Sequence, residues 1–348
     1  MKGTVPVTFY EPGGVPHYAS DTPALDSYGR RIDYLRISLT DRCNMRCVYC
    51  MPAVGVQFAP RPELLTNDEL LLVVRAAAAA GFRKLRLTGG EPTLRHDLVE
   101  LVRAMKATPG IQQIAMTTNA LRLRKLAGPL KEAGLDRVNI SIDSLDAAKF
   151  RQLTRGGNLD DVWAGIEAAD AVGLHPIKLN AVVVRGMNDD EVLRLAELTT
   201  RYPWEFRFIE VMPLTGVAGL AEEGVVSSAE LIARIEERFG PLEPYGQDPA
   251  DPARRYRIPG APGKLGFISA VTDPFCATCN RMRLTADGRL HLCLLRDDEV
   301  DLRAAIRAGA SVAEVEQIIR HAVYLKPWGH GLPEGVLPTL RGMSQLGG

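Results

Sequence analysis

The chain has 348 residues, 46% of them hydrophobic and 24% charged, and its 42 basic side chains are matched by 42 acidic ones. Zero formal net charge argues against a general nucleic-acid binder, which carries a basic excess. The longest apolar stretch, "LLLVVRAAAAAGF", is broken by Arg75 and is too short to span a bilayer. The N-terminus "MKGTVPVTFYEPGG" lacks the apolar run of a signal peptide. A cytoplasmic location is therefore expected, with neither membrane nor nucleic acid as partner. The length suits a barrel-sized domain plus an appendage.

Residues 1–26 carry Pro and Gly without lasting periodicity and read as an extended N-terminal arm. A strand–helix alternation follows over 27–215. Candidate strands are 34–40, 84–90, 114–119, 137–143, 177–184 and 206–212. Between them lie helical patterns. One opens on a Thr66…Glu69 capping box and ends at Gly81; another starts with Asn188…Glu191 and stops at Pro203. Six strands separated by helices predict βαβ units and a parallel sheet, hence an α/β fold.

The strands alternate with period two. Leu35, Ile37 and Leu39 fall on one face, and Arg36 and Ser38 on the other. Leu85 and Leu87 oppose Lys84, Arg86 and Thr88; Ile140 and Ile142 oppose Asn139, Ser141 and Asp143. A parallel sheet covered on both faces is apolar on both, and a closed eight-stranded barrel fills its lumen with branched apolar residues. A persistently polar, cationic face fits an incomplete six-stranded (βα)6 TIM-like barrel with a ligand cavity inside. The competing reading is that these polar residues are strand ends facing water. After about residue 212 the alternation stops. Residues 216–348 read as a C-terminal module with a capped helix "SAELIARIEERFG", a Pro/Gly-rich connection, a β-type segment and a helical tail near 301–325.

All six cysteines fall in two triplets: Cys43, Cys47 and Cys50 directly after the first strand, and Cys276, Cys279 and Cys293 in the C-terminal module. Structural zinc wants four ligands, and each triplet supplies three. Crowding and a reducing compartment disfavour disulfides. Three thiolates suit a four-iron cluster with one iron left open for a small molecule. Arg281 and Arg283 stand two apart in the β-type segment, so they share a face beside the second triplet, and guanidinium forks match phosphate oxygens. The six histidines are scattered and none is assigned, and no P-loop sequence is present.

The C-x3-C-x2-C spacing after a first strand, with Tyr49 before the last cysteine, resembles the radical S-adenosylmethionine (SAM) superfamily, as does "TGGEP" at 88–92. "LRISLTDRCNMRCVYCMP", "LRLTGGEPTLR", "FIEVMP", "FCATCNRMRLTADGRLHLCL" and the terminal "GMSQLGG" together resemble the GTP 3′,8-cyclase family of molybdenum-cofactor biosynthesis. The resemblance implies two 4Fe–4S clusters, one per triplet, with SAM on the first. It implies a 5′-deoxyadenosyl radical that removes the 3′ hydrogen of GTP, giving (8S)-3′,8-cyclo-7,8-dihydroguanosine 5′-triphosphate, and an open iron of the second cluster that binds the guanine edge. SAM contacts carry over to Tyr49, Gly90, Ser141 and Met212, although core packing is the bland alternative for Met212. Substrate contacts carry over to Arg36, Arg86, Thr117 and Lys178, beside Arg281 and Arg283; the cationic strand face adds Arg207. Gly347 and Gly348 would form a tail entering the active site. Expected partners are GTP, an electron donor such as flavodoxin or ferredoxin, a downstream cyclic pyranopterin monophosphate synthase and a second copy in a homodimer. The family usually has Gly where this chain has Ala120. Two rivals remain: a peptide-modifying radical SAM enzyme with an auxiliary cluster, and a non-catalytic two-cluster electron carrier.

Overall fold

The computed structural model describes residues 18–19, 22–214 and 217–347. Most of the expected N-terminal arm, and Gly348 of the expected tail, lie outside the described residues.

All six expected strands form: β1 (Tyr34–Ser38), β2 (Lys84–Thr88), β3 (Gln113–Thr118), β4 (Arg137–Ser141), β5 (Lys178–Val183) and β6 (Glu205–Glu210). Most end a residue or two sooner than the apolar runs suggest, because the chain leaves the sheet there to build loops. The helix Asn67–Ala79 starts as its sequence predicts: the Glu69 N–H donates to the Thr66 hydroxyl, and the Glu69 carboxylate accepts from the Thr66 N–H at 2.8 Å. Gly81, at φ 101, ends it. Leu35, Ile37, Leu85, Leu87 and Ile140 are buried in one core with the apolar faces of the helices.

Among the described residues, six further strands complete one sheet: β7 (Glu243–Pro244), β8 (Arg254–Arg257), β9 (Lys264–Ile268), β10 (Arg281–Leu284), β11 (Arg289–His291) and β12 (Glu299–Asp301). The order is β12-β11-β10-β1-β2-β3-β4-β5-β6-β9-β8-β7. β10 runs parallel to β1 and β9 parallel to β6. The parallel run is thus longer than the six strands expected, and both extra members come from the C-terminal region. Their sequences carry no strand–helix alternation, so only contacts distant in sequence reveal their place. Among the described residues no helix is long and apolar enough to cross a membrane.

Two local expectations need correction. Asn188 does not cap a helix. It is wholly buried: its Oδ1 accepts from the Val184 N–H at 2.8 Å, and its Nδ2 donates to the carbonyls of Asp143 (2.8 Å) and Val182 (3.0 Å). Satisfying strand-end backbone outweighs capping, and the α-helix begins at Val192 after a short 3-10 turn. The helical tail is two helices, Leu302–Arg307 and Val312–Tyr324, separated by Gly309 at φ 95 and restarted by a Ser311–Glu314 capping box.

Candidate active site

The polar strand face expected from the alternation lines a cavity of 460 Å³ rather than facing bulk water. All six cysteines border it, as do Tyr49, Gly90, Ser141, Met212, Arg36, Arg86, Thr117, Lys178, Arg207, Arg281 and Arg283. Strand register explains the convergence. Arg36 is paired with Arg283 on one side and with Arg86 on the other. Neighbouring strands lie about 4.8 Å apart, so three guanidinium-bearing side chains stand in one row across β10, β1 and β2. Burial, and then the charges of Arg283 and Arg86, hold the Arg36 pKa well below the usual arginine range. Burial and Arg281 bring Arg283 down to about 10. Such a row is electrostatically unfavourable by itself and favours an anion among the cations.

Two groups that the sequence reading passed over belong to this row. The Arg86 Nε donates to the Tyr34 hydroxyl, and the Arg86 side chain donates to Thr117 at 3.3 Å. Burial opposes ionisation of Tyr34, yet Arg86, Arg36 and Arg137 bring its pKa down to about 8. Arg137 lines the same wall. The alternation would have flagged both, since each opens a strand on the polar face.

The opposite wall, on β5 and β6, is already neutralised. Arg207 donates to Glu205 (2.5 Å) and Asp251 (2.9 Å), and Lys178 sits 3.4 Å from Glu205 and 3.7 Å from Asp251. Burial outweighs these carboxylates and lowers the Lys178 ammonium to about 7. Although burial opposes it, Arg207 holds the Glu205 carboxyl below its usual range.

The first cysteine loop lies against the end of β2. The Gly90 N–H donates to the Thr40 carbonyl at 2.6 Å, and the Glu91 N–H to the Arg42 carbonyl at 2.8 Å. A Cβ at Gly89 would collide with Thr40 backbone, and one at Gly90 with Arg42 backbone. These two positions require glycine for close approach. Glu91, buried, accepts from Thr93, Thr118 and the Asn119 N–H, tying the ends of β2 and β3 together. Tyr49 donates to Asp143 at 2.7 Å, and burial raises Asp143 to about 6. Ala120 takes φ 64, a left-handed conformation that glycine would adopt freely. Its N–H donates to Thr118 Oγ1 at 3.0 Å, which offsets a strain of roughly 1–2 kcal/mol.

The second triplet sits on a short 3-10 turn, Cys276–Thr278, and at the end of β11. Arg30 ties it to the C-terminal region, donating to the carbonyls of Cys276 (2.7 Å), Trp328 (2.6 Å) and Pro327 (2.6 Å). Burial opposes ionisation of Cys279, but Lys326 and Arg281 hold its thiol below the usual range. The tail reaches both halves of the site. The Ser344 backbone bonds to Cys50, and the Gly347 carbonyl accepts from Arg283. Gly347, at φ 76, is packed so closely on Thr88 that a Cβ would overlap its methyl group. Met212 lines the cavity and also packs against the cluster of Leu214, Val217, Leu295 and Leu346.

A mostly parallel α/β sheet with a three-cysteine loop after its first strand, closed on a glycine-tight second strand end, is the architecture of a radical SAM protein. Residues 37–199 match the family model of the Radical SAM superfamily, and residues 204–332 that of Molybdenum Cofactor Synthesis C. In fold, the chain resembles Streptococcus suis SuiB, in the crystal structure titled as bound to S-adenosylmethionine (TM-score 0.55, 15% identity, 78% of this chain and 61% of that one) and in a second crystal structure (TM-score 0.58, 14%, 89% and 68%). Among curated relatives, the GTP 3′,8-cyclase of Pelotomaculum thermopropionicum is 49% identical over 93% of this chain and 99% of its own length. That of Moorella thermoacetica is 47% identical over the same shares. The chain belongs to the GTP 3′,8-cyclase family.

Proposed function

We propose that the chain is a radical SAM lyase that converts GTP to (8S)-3′,8-cyclo-7,8-dihydroguanosine 5′-triphosphate in molybdenum-cofactor biosynthesis. The observation that carries this reading is the shared cavity: two cysteine triplets face one space, and Arg283, Arg36 and Arg86 stand in register as a row in its wall. Neither a peptide nor a lone electron calls for that row; a triphosphate does.

The cysteines suit iron–sulfur clusters. The Met45 N–H points at Cys43 Sγ (3.4 Å) and the Ser344 N–H at Cys50, supplying donors to thiolate sulfur. Gly329 leaves only 3.2 Å between its absent Cβ and Cys276 Sγ, so backbone lies directly on that sulfur. Burial pushes the Cys43 thiol up to about 11, and burial with the Cys43 charge pushes Cys50 to about 12. Such thiols ionise on binding metal, which supplies the counter-charge. When bound, SAM and the reduced first cluster supply the 5′-deoxyadenosyl radical that takes the ribose 3′ hydrogen. Tyr49, Gly90, Ser141 and Met212 hold SAM. Arg36, Arg281 and Arg283 bind the triphosphate, while Arg86, Thr117, Lys178 and Arg207 line the nucleotide's path. Residues 27–215 form the radical-generating incomplete barrel, and 216–348 bring the second cluster and the Gly347–Gly348 tail. An electron donor such as flavodoxin or ferredoxin, a homodimer, a downstream cyclic pyranopterin monophosphate synthase and a cytoplasmic setting complete the proposal.

The test is anaerobic incubation with SAM, dithionite and nucleotides. 5′-Deoxyadenosine together with the cyclic product should form with GTP and not with ATP. A variant with Cys43, Cys47 and Cys50 replaced by Ala should form neither and keep roughly half the iron. Full SAM cleavage by that variant would sink the assignment.

A further inference from the structure

The loop between β7 and β8 crosses the cavity as a strap. Its start is held to β8, where the Tyr245 N–H and the Gln247 side chain both donate to the Arg255 carbonyl, at 2.9 and 2.8 Å. Asp248, Ala250, Asp251 and Pro252 then form part of the cavity wall. Two residues, Ala250 and Asp251, pin the strap across the space. The Ala250 carbonyl accepts from Arg281, whose guanidinium also lies 5.0 Å over the Phe275 ring. The Asp251 carboxylate accepts from Arg207 at 2.9 Å and from Arg255, and stands 3.7 Å from Lys178. Its second oxygen accepts from the Ala253 N–H at 3.1 Å. Behind the strap lies a second cavity of 290 Å³, which shares Asp248, Asp251 and Pro252 as its wall.

Every cation that holds the strap therefore also faces the main cavity: Arg281, Arg207, Arg255 and Lys178. A carboxylate on a loop is the chemical stand-in for a phosphate oxygen. A polyanion entering this space competes with Asp251 for the same donors, and the empty volume behind the strap gives the displaced loop somewhere to go.

We propose that Asp251 is an internal counter-anion of the substrate site, which holds the strap over Lys178 and Arg207 until a phosphate group of the nucleotide takes its place. This rests on the reading of the cavity as a nucleotide site. Displacing Asp251 costs binding free energy, and only ligands that reach these cations bear the cost. A counter-anion and a purely structural residue then differ in sign. Removing the charge of a structural residue weakens binding; removing a competitor strengthens it.

The experiment is calorimetric titration of the anaerobic, SAM-loaded holoenzyme with GTP and with guanosine. Asp251→Asn should tighten GTP binding by roughly tenfold, the scale of one charge-assisted contact, and leave guanosine unchanged. Asp251→Glu, which restores the charge, should bring GTP affinity back towards that of the wild type. Equal or weaker GTP binding by Asp251→Asn overturns the counter-anion role while leaving the cyclase reading intact. Failure of the wild type to bind GTP overturns both. Wild-type hydrogen exchange tests the idea without any substitution: GTP should speed exchange of the Ala253 amide as its Asp251 acceptor departs, and unchanged or slower exchange counts against displacement.

Discussion

Arg283 donates to the Gly347 carbonyl and stands in register with Arg36, and among the described residues no carboxylate forms an ion pair with it. Its charge is therefore available to an anion. Arg283→Ala is expected to weaken GTP binding roughly ten- to a hundredfold, the cost of a lost charge-assisted contact, and guanosine binding far less; titration calorimetry with both ligands checks it. Lys178 presents the opposite balance. Its pKa in the fold is about 7, against about 10.4 in an unfolded chain. Between those values the unfolded chain binds the extra proton, so stability rises with pH across that window and falls as pH drops through 7. The slope is at most about 1.4 kcal/mol per pH unit. Lys178→Gln should remove it, and urea midpoints of the metal-free protein at pH 7 and pH 9 would show whether the difference between wild type and variant closes. The arginines and Lys178 were legible from strand alternation. Tyr34 and Arg137 share that face and could have been flagged with them, but which cations stand beside them is set by register, and register is invisible in one strand.

At the scale of elements, the tail is aimed by what precedes it. Arg341 makes paired bonds to two carboxylates, donating to Glu299 at 2.8 and 3.2 Å and to Asp287 at 3.2 and 3.0 Å. The N–H groups of Thr339 (2.9 Å) and Leu340 (3.1 Å) donate to Asp297. Three acidic residues of the β10–β12 region thus grip 339–341, and the next residues run into the site. Chain ends without such ties are ordinarily poorly ordered. Arg341→Gln is expected to leave iron content and SAM and GTP affinities near wild type while lowering cyclic product about tenfold or more, the scale on which loss of positioning acts; iron assay, calorimetry and product chromatography on one preparation would decide it. Wild-type turnover by the variant would mean that the tail finds its place without the clamp. The family resemblance suggested a Gly-Gly tail that enters the active site, but the clamp joins side chains far apart in the chain and had no sequence signature.

For the whole molecule, the C-terminal region covers both edges of the six-stranded sheet, with β10 on β1 and β9 on β6. Exposed strand edges invite association. A protein ending at residue 214 should therefore be aggregated or oligomeric in sedimentation velocity, with the full chain as the reference; a soluble, folded monomer would show that these edges need no cover. The same two pairings bring the second triplet and the arginines of β10 to the cavity opposite the first triplet. Among the described residues, strands from both regions belong to one twelve-stranded sheet.

By itself, the sequence determined the α/β alternation, the six central strands, the apolar and polar faces of each, and the grouping of all six cysteines into two triplets one ligand short. Those are local properties: period, spacing and residue type act over a few residues and survive in any single chain. Tertiary structure decided that both triplets and the arginine row share one cavity, that β9 and β10 extend the parallel sheet, that Asn188 ties strand ends instead of capping a helix, and that Asp251 neutralises Lys178 and Arg207. Each of these is a contact between segments distant in the chain. It is settled by register, by the cost of leaving buried charges and backbone groups without partners, and by which partners the folded sheet places within reach.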